Sequence, residues 1–344
     1  MEYVTLGDSG VEVSRLCLGT WMFGTESPTS GDVATDREQA HDILDAAWDQ
    51  GINFLDTANN YGGGDSERYI GEWLADHDRE DVVVASKVYW TTRGRRESGL
   101  SRKIVRAEIE GTLERLGTDY LDLYYIHGWH ERSPIEETLS ALNDLFRDGK
   151  VHYVGVSNFA AWQLVQSLWY CDGNGWEAPI VIQPRFNAID RVPYTVDPEV
   201  MPLPDLLDAC RDLDVAVCPY APLAGGFLTG KYERGPDGEL RGPEGTRVDL
   251  SDSFGPFADR DWAVLEAVQE VADEVDASPA QVAVRWAMDV PGVTSVPIVG
   301  ARSVDQVNEN VGAVEVSLSD EQYERIATAG EDDDAAGSWP VYVG

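Results

Sequence analysis

The stretch Gly51-Ile-Asn-Phe-Leu-Asp-Thr-Ala-Asn-Asn-Tyr-Gly-Gly-Gly-Asp-Ser-Glu67 decides how the rest of the chain is interpreted. Its apolar run, residues 52–55, has the length of a short buried strand and ends on the carboxylate of Asp56. A loop with Tyr61 and three glycines follows, and residues 65–67 predict a helix start with acidic groups where the helix dipole favours them. A charge at the tip of a buried strand, with a phenol soon after it, indicates a functional site.

Similar apolar runs occur on both sides of this stretch and alternate with helical patterns. Eight runs are predicted as strands, at residues 16–18, 52–55, 82–85, 121–126, 151–156, 180–182, 215–218 and 294–298. Helices are predicted at residues 36–50, 66–75, 101–116, 134–146, 160–170, 203–213, 261–275, 279–288, 303–311 and 319–329. Continuous apolar runs joined by helices indicate a parallel sheet buried on both faces, and eight such units predict a (β/α)8 TIM barrel.

Three further features complete this predicted architecture. Residues 7–10, Gly-Asp-Ser-Gly, are typical of the turn of an N-terminal β-hairpin. A long loop rich in glycine and proline runs from Tyr220 to about residue 257, and an extra helix precedes an acidic tail, residues 331–334, predicted at the surface. No linker divides the chain, so residues 1–344 are predicted as one domain. A doubly wound sheet is the alternative, but no Gly-x-Gly-x-x-Gly follows an early strand.

The charge balance is strongly acidic, with 62 acidic against 26 basic residues and a formal net charge of -36. Such a chain is a poor ligand for a nucleic-acid backbone, while 43% hydrophobic residues favour a folded core over disorder. The chain contains four lysines, Lys87, Lys103, Lys150 and Lys231. An acidic, lysine-poor surface resembles that of proteins from salt-in halophiles. We therefore predict a requirement for molar salt, since at about 1 M the Debye length is only about 3 Å.

The sequence also bears on location and on metal binding. No apolar run is long enough to span a membrane, and the N-terminus lacks the features of a signal peptide, which predicts a cytoplasmic protein without a membrane partner. The four cysteines are scattered and are predicted to be buried, reduced thiols. His127 and His130 are poorly spaced as metal ligands, so no metal site is predicted.

Polar groups follow the predicted strands. Because the active site of a TIM barrel lies at the carboxyl ends of its strands, these groups are predicted to share one rim. They are Asp56, Lys87, His127, Ser157-Asn158, Gln183, Tyr220 and Gly300, with Tyr61 just beyond the second strand. Each group alone has a simpler interpretation, such as a helix cap for Asp56 or loop packing for Tyr61.

Four of these residues together predict one mechanism. Lys87 is a lysine in a chain that mostly uses arginine, which favours a role for a compact ammonium. Beside Tyr61 it would lower the phenol pKa by roughly two to three units, towards the range useful for general acid catalysis. Asp56 would hold Lys87 charged and oriented, and His127 would donate a hydrogen bond to the substrate oxygen. These roles predict a carbonyl polarised for hydride addition.

Several motifs, in the right order, resemble the aldo-keto reductase superfamily over nearly the whole chain. They are residues 51–67, Gly155-Val156-Ser157-Asn158-Phe159, residues 220–226 (Tyr-Ala-Pro-Leu-Ala-Gly-Gly) and residues 297–303 (Pro-Ile-Val-Gly-Ala-Arg-Ser) followed by Gln306 and Asn310. The resemblance implies a barrel enzyme that reduces aldehydes or ketones with NADPH, with a catalytic tetrad of Asp56, Tyr61, Lys87 and His127.

The resemblance also implies cofactor contacts. Ser157, Asn158 and Gln183 would hold the nicotinamide amide and Tyr220 would stack on the ring. Arg302 and Ser303 would meet the 2′-phosphate, in line with anion binding at a helix N-terminus. The full implied set is Thr20, Trp21, Asp56, Ser157, Asn158, Gln183, Tyr220, Pro222, Leu223, Gly225, Lys231, Gly300, Arg302, Ser303, Gln306, Glu309 and Asn310.

Two departures from the family pattern fall near the expected substrate pocket. They are Gly128-Trp129-His130 after His127, and Arg185 after Gln183-Pro184. Trp21, Trp90 and Trp129 are candidate pocket walls, with plain packing as the alternative. The departures leave the identity of the carbonyl substrate open.

Two other functions compete with the reductase. The spacing from Gly300 to Asn310 also resembles potassium-channel β-subunits, which implies an NADP(H)-bound regulatory or sensor subunit as the alternative. A metal-dependent barrel hydrolase lacks a ligand cluster. The predicted partner is a small carbonyl or alcohol substrate and no nucleic acid, and the protein is predicted to be a monomer or a weak homo-oligomer.

Overall fold

The computed structural model describes residues 1–24, 34–90, 98–191, 205–235, 239–244, 246 and 257–331. Eight parallel strands form the central sheet, in the spatial order β12-β3-β4-β5-β6-β7-β8-β9. These strands are β3 (Cys17–Gly19), β4 (Phe54–Asp56), β5 (Val83–Val88), β6 (Leu121–Ile126), β7 (Val151–Ser157), β8 (Pro179–Gln183), β9 (Ala216–Val217) and β12 (Ile298–Gly300). The ring closes beside β9, where the Val296 amide donates to the Val217 carbonyl at 2.8 Å and the Ile298 amide donates to the Pro219 carbonyl at 2.9 Å. The predicted (β/α)8 barrel is confirmed.

Helices cover the outside of the sheet. They are α1 (Arg37–Asp49), α2 (Asp65–Leu74), α3 (Arg102–Leu116), α4 (Ile135–Arg147), α5 (Ala161–Asn174), α6 (Leu206–Asp212), α7 (Asp259–Glu274), α8 (Pro279–Met288), α9 (Val304–Val311) and α10 (Asp320–Thr328). Helix α1 shows why such a segment folds. Asp36 caps it by accepting from the Gln39 amide at 3.0 Å, and its buried face consists of alanine and aliphatic residues at helical spacing.

The parts outside the barrel follow the prediction with one addition. Strands β1 (Tyr3–Thr5) and β2 (Glu12–Ser14) pair antiparallel, which confirms the N-terminal hairpin. The long loop after Tyr220 contains a short 3₁₀ turn, Ala224–Thr229, and a second small hairpin that was not predicted. That hairpin pairs β10 (Glu233–Arg234) with β11 (Leu240–Arg241).

Two strand predictions were wrong in extent. The last strand was predicted at residues 294–298, yet the ladder spans Ile298–Gly300, because Pro297 has no N–H to donate and offers only its carbonyl to the Cys17 amide. The strand predicted at 82–85 runs on to Val88, so Lys87 lies within β5 rather than after it.

Residues 332–334 of the acidic tail and the start of the helix predicted at 203–213 lie outside the described residues. The interpretation of residues 1–344 as one domain stays a prediction.

The core has one layer inside the barrel and others between sheet and helices. Phe54, Leu123 and Tyr125 are completely or almost completely buried inside the barrel. All four cysteines are buried and free, as expected. A filled interior of this kind leaves the ends of the barrel as the places where polar groups can meet solvent and ligands.

Candidate active site

The predicted strand-end residues do share one end of the barrel. Because neighbouring strands are parallel and in register, Gly300 lies beside Gly19, and Gly19 lies beside Asp56. The rim continues through the ends of β5, β6, β7 and β8, and an isolated bridge joins Tyr220 to Ile298 on the other side. Side chains far apart in sequence thus surround a common opening.

Lys87 lies at the centre of this rim with no exposed side-chain surface. Its ammonium donates to Asp56 Oδ1 at 2.5 Å, to the Thr57 carbonyl at 2.9 Å and to the Tyr61 hydroxyl at 3.1 Å. A lysine ammonium has three N–H donors, and here each has an acceptor. The group is therefore fixed in orientation, and one of its bonds points at the phenol oxygen.

Asp56 is held from its other side by Gln183. The Gln183 side-chain amide donates to Asp56 Oδ2 at 2.9 Å, and Asp56 is 3% exposed. The sequence assigned Gln183 to a cofactor only, and its bond to Asp56 was missed because the two residues are far apart in the chain. The carboxylate therefore has partners for both oxygens, as a buried charge requires.

Burial and ion pairing shift the pKa values of Lys87 and Asp56 in opposite directions. Burial alone would lower the pKa of Lys87, but Asp56 and Tyr61 outweigh it and the pKa is raised, so the ammonium stays charged. Burial raises the pKa of Asp56, and Lys87 and Gln183 oppose this rise. Lys87 and Asp56 therefore form a buried ion pair.

The pKa of Tyr61 departs from the prediction. Burial raises it, the Lys87 ammonium lowers it, and the Asp56 carboxylate raises it again, with a net increase. The predicted decrease is wrong, because Tyr61 is only 9% exposed and the effect of burial on its pKa outweighs that of the ammonium, which the carboxylate opposes only in part. Tyr61 therefore holds its proton more firmly than an ordinary phenol.

A glycine turn positions this phenol. Tyr61 begins the 3₁₀ turn Tyr61–Gly64, in which Gly62 has a φ of 55°. A Cβ at Gly62 would lie 2.5 Å from the Phe23 carbonyl oxygen, so a larger residue would push the turn away from the strand ends. The glycines of the signature thus serve to bring Tyr61 back over Lys87.

His127 faces the phenol across the opening. Its ring lies 6.0 Å from that of Tyr61 at 73° and 4.8 Å from that of Trp90 at 89°. Burial, followed by the Lys87 charge, lowers its pKa well below the usual value, so the imidazole is neutral at pH 7. Its Nδ1 is sealed from solvent and has no hydrogen-bond partner among the described residues. A neutral imidazole carries one N–H, which can donate to an oxygen placed beside Tyr61.

A polar platform adjoins the tetrad on the β7 and β8 side. The Asn158 amide donates to the His127 carbonyl at 2.9 Å, and its oxygen accepts from the Tyr220 hydroxyl at 3.0 Å. Ser157 donates to the Gln183 carbonyl at 2.9 Å. Asn158 has a φ of 58°, in the left-handed region that non-glycine residues rarely adopt. Strain of this kind tends to occur at functional sites.

The predicted phosphate-contacting residues lie further around the same end. The Lys231 ammonium is next to Gly226, where a Cβ would meet it at 3.0 Å, in the loop that also contains Pro222, Leu223 and Gly225. Ser303 caps α9 by accepting from the Gln306 amide at 3.3 Å, and the Arg302 amide donates to Gln306 Oε1 at 2.8 Å.

The polar side chains of three other predicted cofactor residues already form hydrogen bonds within the protein. Thr20 is fully buried and its hydroxyl donates to the Asp56 carbonyl at 2.9 Å. Glu309 accepts from the Ser278 hydroxyl, and Asn310 donates to the Gly300 carbonyl at 3.4 Å. Their predicted contacts with a cofactor stay predictions.

The three tryptophans predicted as pocket walls differ in their surroundings. Trp90 packs edge-on against His127 and is 39% exposed, so it borders the opening. Trp129 packs against Phe159 and Trp162, each at 5.3 Å between ring centroids. Trp21 is half-buried after β3.

Buried carboxylates behind the site were not predicted. Asn59 donates to the Trp90 carbonyl at 2.6 Å and to Glu108 Oε2 at 2.8 Å, which fixes the backbone at Trp90. Glu67 was interpreted as an acidic residue at a helix start, but it is fully buried and accepts from Ser86 and from Arg115, both at 2.6 Å. Glutamate is rarely fully buried, and no local pattern reveals the partners that make it possible.

Comparison with known proteins places this geometry in a family. Residues 15–331 match the Aldo/keto reductase family. The chain is 36% identical over 332 residues to the uncharacterized oxidoreductase YrpG of Bacillus subtilis, with 93% of each chain covered. It is 34% identical over 324 residues to a probable voltage-gated potassium channel subunit beta of Arabidopsis thaliana, with 92% of each covered.

A solved structure agrees with the sequence matches. A thermostable aldo-keto reductase, crystallised with the inhibitor epalrestat, superposes with a TM-score of 0.72 at 30% identity, covering 95% of this chain and 99% of that one. The chain belongs to the aldo/keto reductase family, an oxidoreductase family, and the motif resemblance is confirmed.

No helix in the described ranges is both long and apolar enough to cross a membrane. The same part of the chain contains no group of three or more histidine, cysteine, aspartate or glutamate side chains that could hold a metal ion.

Proposed function

We propose that this protein reduces aldehydes or ketones to alcohols with NADPH, reversibly, and that Tyr61 is the proton donor. The observation that carries the proposal is the 3.1 Å bond from the Lys87 ammonium to the Tyr61 hydroxyl. That bond leaves the phenol proton free to be donated into the opening that His127 and Trp90 border. Family membership supports the reaction class, and the geometry supports the assignment of roles.

The residues act on the substrate oxygen in a defined order. The neutral His127 donates a hydrogen bond to the carbonyl oxygen and so polarises the carbonyl carbon. Tyr61 then transfers its proton to that oxygen as negative charge develops on it. Lys87 stabilises the phenolate that remains, and Asp56 keeps Lys87 charged. A raised pKa at Tyr61 suits this role, because an alkoxide is far more basic than any phenolate and accepts the proton readily.

The rim residues fit a nicotinamide cofactor, which would supply the hydride when bound. The Gln183 amide nitrogen is committed to Asp56, so its oxygen would accept from the carboxamide of the cofactor. Ser157 and Asn158 would supply further polar contacts, and Tyr220, held by Asn158, would support the ring. Cofactor binding would then stabilise the same carboxylate that orients Lys87.

Cations in two places fit the phosphates. Lys231 would neutralise the pyrophosphate beside Gly226, and Arg302 would pair with the 2′-phosphate at the start of α9. Anion binding needs such local cations, because the net charge of -36 repels phosphate at long range. The preference for NADPH over NADH thus rests on Arg302.

A second candidate is an NADP(H)-bound regulatory or sensor subunit with little turnover. The likeness to a potassium channel subunit beta at 34% identity favours it. The tetrad geometry is compatible with both functions, so turnover decides between them.

The experiment is a substrate screen with the purified protein in high salt. NADPH oxidation is followed with a panel of aliphatic and aromatic aldehydes and ketones, beside a fluorescence titration of NADPH binding. Steady oxidation with at least one carbonyl supports the reductase. Tight NADPH binding without oxidation by any carbonyl would support the sensor, and no NADPH binding would refute both.

A further inference from the structure

Helix α5 (Ala161–Asn174) presents an apolar face to solvent. Trp162, Val165 and Trp169 are 59%, 44% and 67% exposed. Their spacing of three and four residues places them on one side of the helix. The side that faces the barrel includes two buried polar residues, Gln163 and Ser167, and the Ser167 hydroxyl donates to the Gln163 carbonyl at 2.8 Å. A barrel helix usually turns its apolar side to the sheet and its polar side to solvent, and in α5 this arrangement is partly reversed.

The neighbouring helix shows the usual arrangement. In α4, Leu139, Leu142 and Leu145 are buried, and Glu136 and Glu137 are exposed. Two adjacent helices of the same barrel therefore differ in their outer faces, which include exposed glutamates in α4 and exposed apolar side chains in α5. The outer face of α5 is not required by the barrel itself, which points to something that covers it.

Two further exposed apolar side chains lie on the helices that flank α5. Phe146 at the end of α4 and Leu213 at the end of α6 are 37% and 44% exposed. Helices connecting parallel strands run in the same direction, so these two residues and Trp169 lie towards the same end of the barrel. Among the described residues, five of the eight exposed large hydrophobic side chains belong to this set of three helices. We call these five residues, Phe146, Trp162, Val165, Trp169 and Leu213, the α5 patch.

Charge is missing from the middle of the patch. Residues 158–171 contain no charged side chain, although 26% of the chain is charged and the net charge is -36. A basic partner would be recognised by carboxylates placed among the aromatic rings, and this segment supplies none. An acidic partner would be repelled by the rest of the surface unless it approached through an uncharged strip.

We propose that the α5 patch is the interface of a homodimer, in which α5 of one copy packs against α5 of the other. A second copy carries the same uncharged strip, and a two-fold axis would bring the two strips together while carboxylates stay at the edge. Full burial of a tryptophan removes about 150–250 Å² from solvent, but Trp162 and Trp169 are only 59% and 67% exposed. The four tryptophans of a dimer would therefore bury about 400–600 Å², to which the other patch residues add. The total is below about 1,200 Å², the lower limit for a specific, stable interface, which describes a weak, reversible dimer.

The dimer would also shield one edge of the candidate active site. Trp162 packs against Trp129 with 5.3 Å between ring centroids, and Trp129 follows His127 by two residues. A partner seated on Trp162 would restrain the ring of Trp129. The proposal itself rests on the exposed patch and the charge distribution, and does not depend on reductase activity.

The test measures mass against concentration by sedimentation velocity in about 2 M KCl. The wild type is expected to shift from monomer to dimer as its concentration rises. Trp162→Ser/Trp169→Ser should remain monomeric over that range, and Trp169→Phe should retain the dimer because it keeps an apolar ring. Tyr3→Ser, which removes an exposed aromatic residue from the N-terminal hairpin, is the matched control and should dimerise like the wild type. Circular dichroism checks that every variant is folded.

Two results would overturn the proposal. One is a wild type that stays monomeric at every concentration and salt level tested, which would direct attention to a different protein as the occupant. The other is a dimer that persists unchanged in the folded double serine variant, which would place the interface elsewhere. If the double variant does not fold, Trp169→Glu alone provides the same comparison. In a two-fold dimer the introduced carboxylate would lie close to the same carboxylate of the other copy, and the repulsion between them would prevent association.

Discussion

The Lys87 ammonium donates to the Tyr61 hydroxyl at 3.1 Å and, from its other side, to Asp56 Oδ1 at 2.5 Å. A single cation therefore connects a buried carboxylate to the proposed proton donor. This chain of contacts has consequences for stability and for pH dependence.

Removing one partner of the ion pair should destabilise the fold. Lys87→Met leaves the Asp56 carboxylate buried without its cation, which is expected to lower the free energy of unfolding by about 3–5 kcal/mol. The double variant Asp56→Asn/Lys87→Met should recover a large part of this loss, because no unpaired charge remains. Denaturant titration of the two single variants, the double variant and the wild type at constant high salt provides the measurement. If the losses of unfolding free energy in the two single variants add up to the loss in the double variant, the two side chains are not coupled.

The pH dependence follows from the raised pKa of Tyr61. A proton donor that titrates above its ordinary value of about 10 stays protonated through neutral and mildly alkaline pH. The rate of carbonyl reduction should therefore stay level from pH about 7 to about 10. The rate of alcohol oxidation needs the phenolate, so it should rise with pH over that range. A reduction rate that falls tenfold per unit from pH about 8 would mean that Lys87 lowers the pKa of Tyr61 after all.

Arg302 should determine cofactor preference. Loss of a hydrogen bond between a guanidinium and a phosphate costs about 1.5–3 kcal/mol. Arg302→Ala is thus expected to weaken NADPH binding by roughly 10- to 150-fold and to leave NADH binding unchanged, as measured by fluorescence titration. Arg106→Ala on α3, which removes an exposed arginine paired with Asp144 and Asp148, is the control for net charge. An unchanged ratio of the two affinities in Arg302→Ala would remove Arg302 from the proposed phosphate site.

Salt should control folding. With a formal net charge of -36, repulsion between surface carboxylates is weakly screened at about 0.05 M KCl and strongly screened at about 1–2 M. We expect a cooperative thermal transition only at the higher concentrations, with a melting temperature that rises with salt. Full activity and a cooperative transition at about 0.05 M KCl would show that the acidic surface needs no molar salt.

The sequence predicted the barrel and its rim well because both follow from short-range patterns. Apolar runs of strand length, each followed by an amphipathic helix, were sufficient to count the eight units. The rule that sites lie at strand ends then singled out Asp56, Lys87 and His127 without any knowledge of their distances. Tyr61 was included in the predicted site because the glycine-rich loop that carries it directly follows a strand.

The errors arose where a property depends on several distant groups. The shift in the pKa of Tyr61 was predicted from Lys87 alone, and burial, the largest influence on this phenol, reversed its direction. Glu67 was assigned to a helix dipole because Arg115, its partner, lies 48 residues away. The apolar outer face of α5 also escaped notice, since periodicity shows that a helix has an apolar side but does not show which side faces inwards.

The central claim, that Tyr61 donates the proton while Lys87 and Asp56 support it, is tested most directly by Tyr61→Phe. Carbonyl reduction and NADPH affinity should be measured on the same preparation in high salt, with a carbonyl that the wild type reduces. The account predicts a rate at least 10²- to 10⁴-fold lower, the usual contribution of general acid catalysis, with NADPH affinity nearly unchanged. A variant that still reduces the carbonyl within a few-fold of the wild-type rate would contradict it.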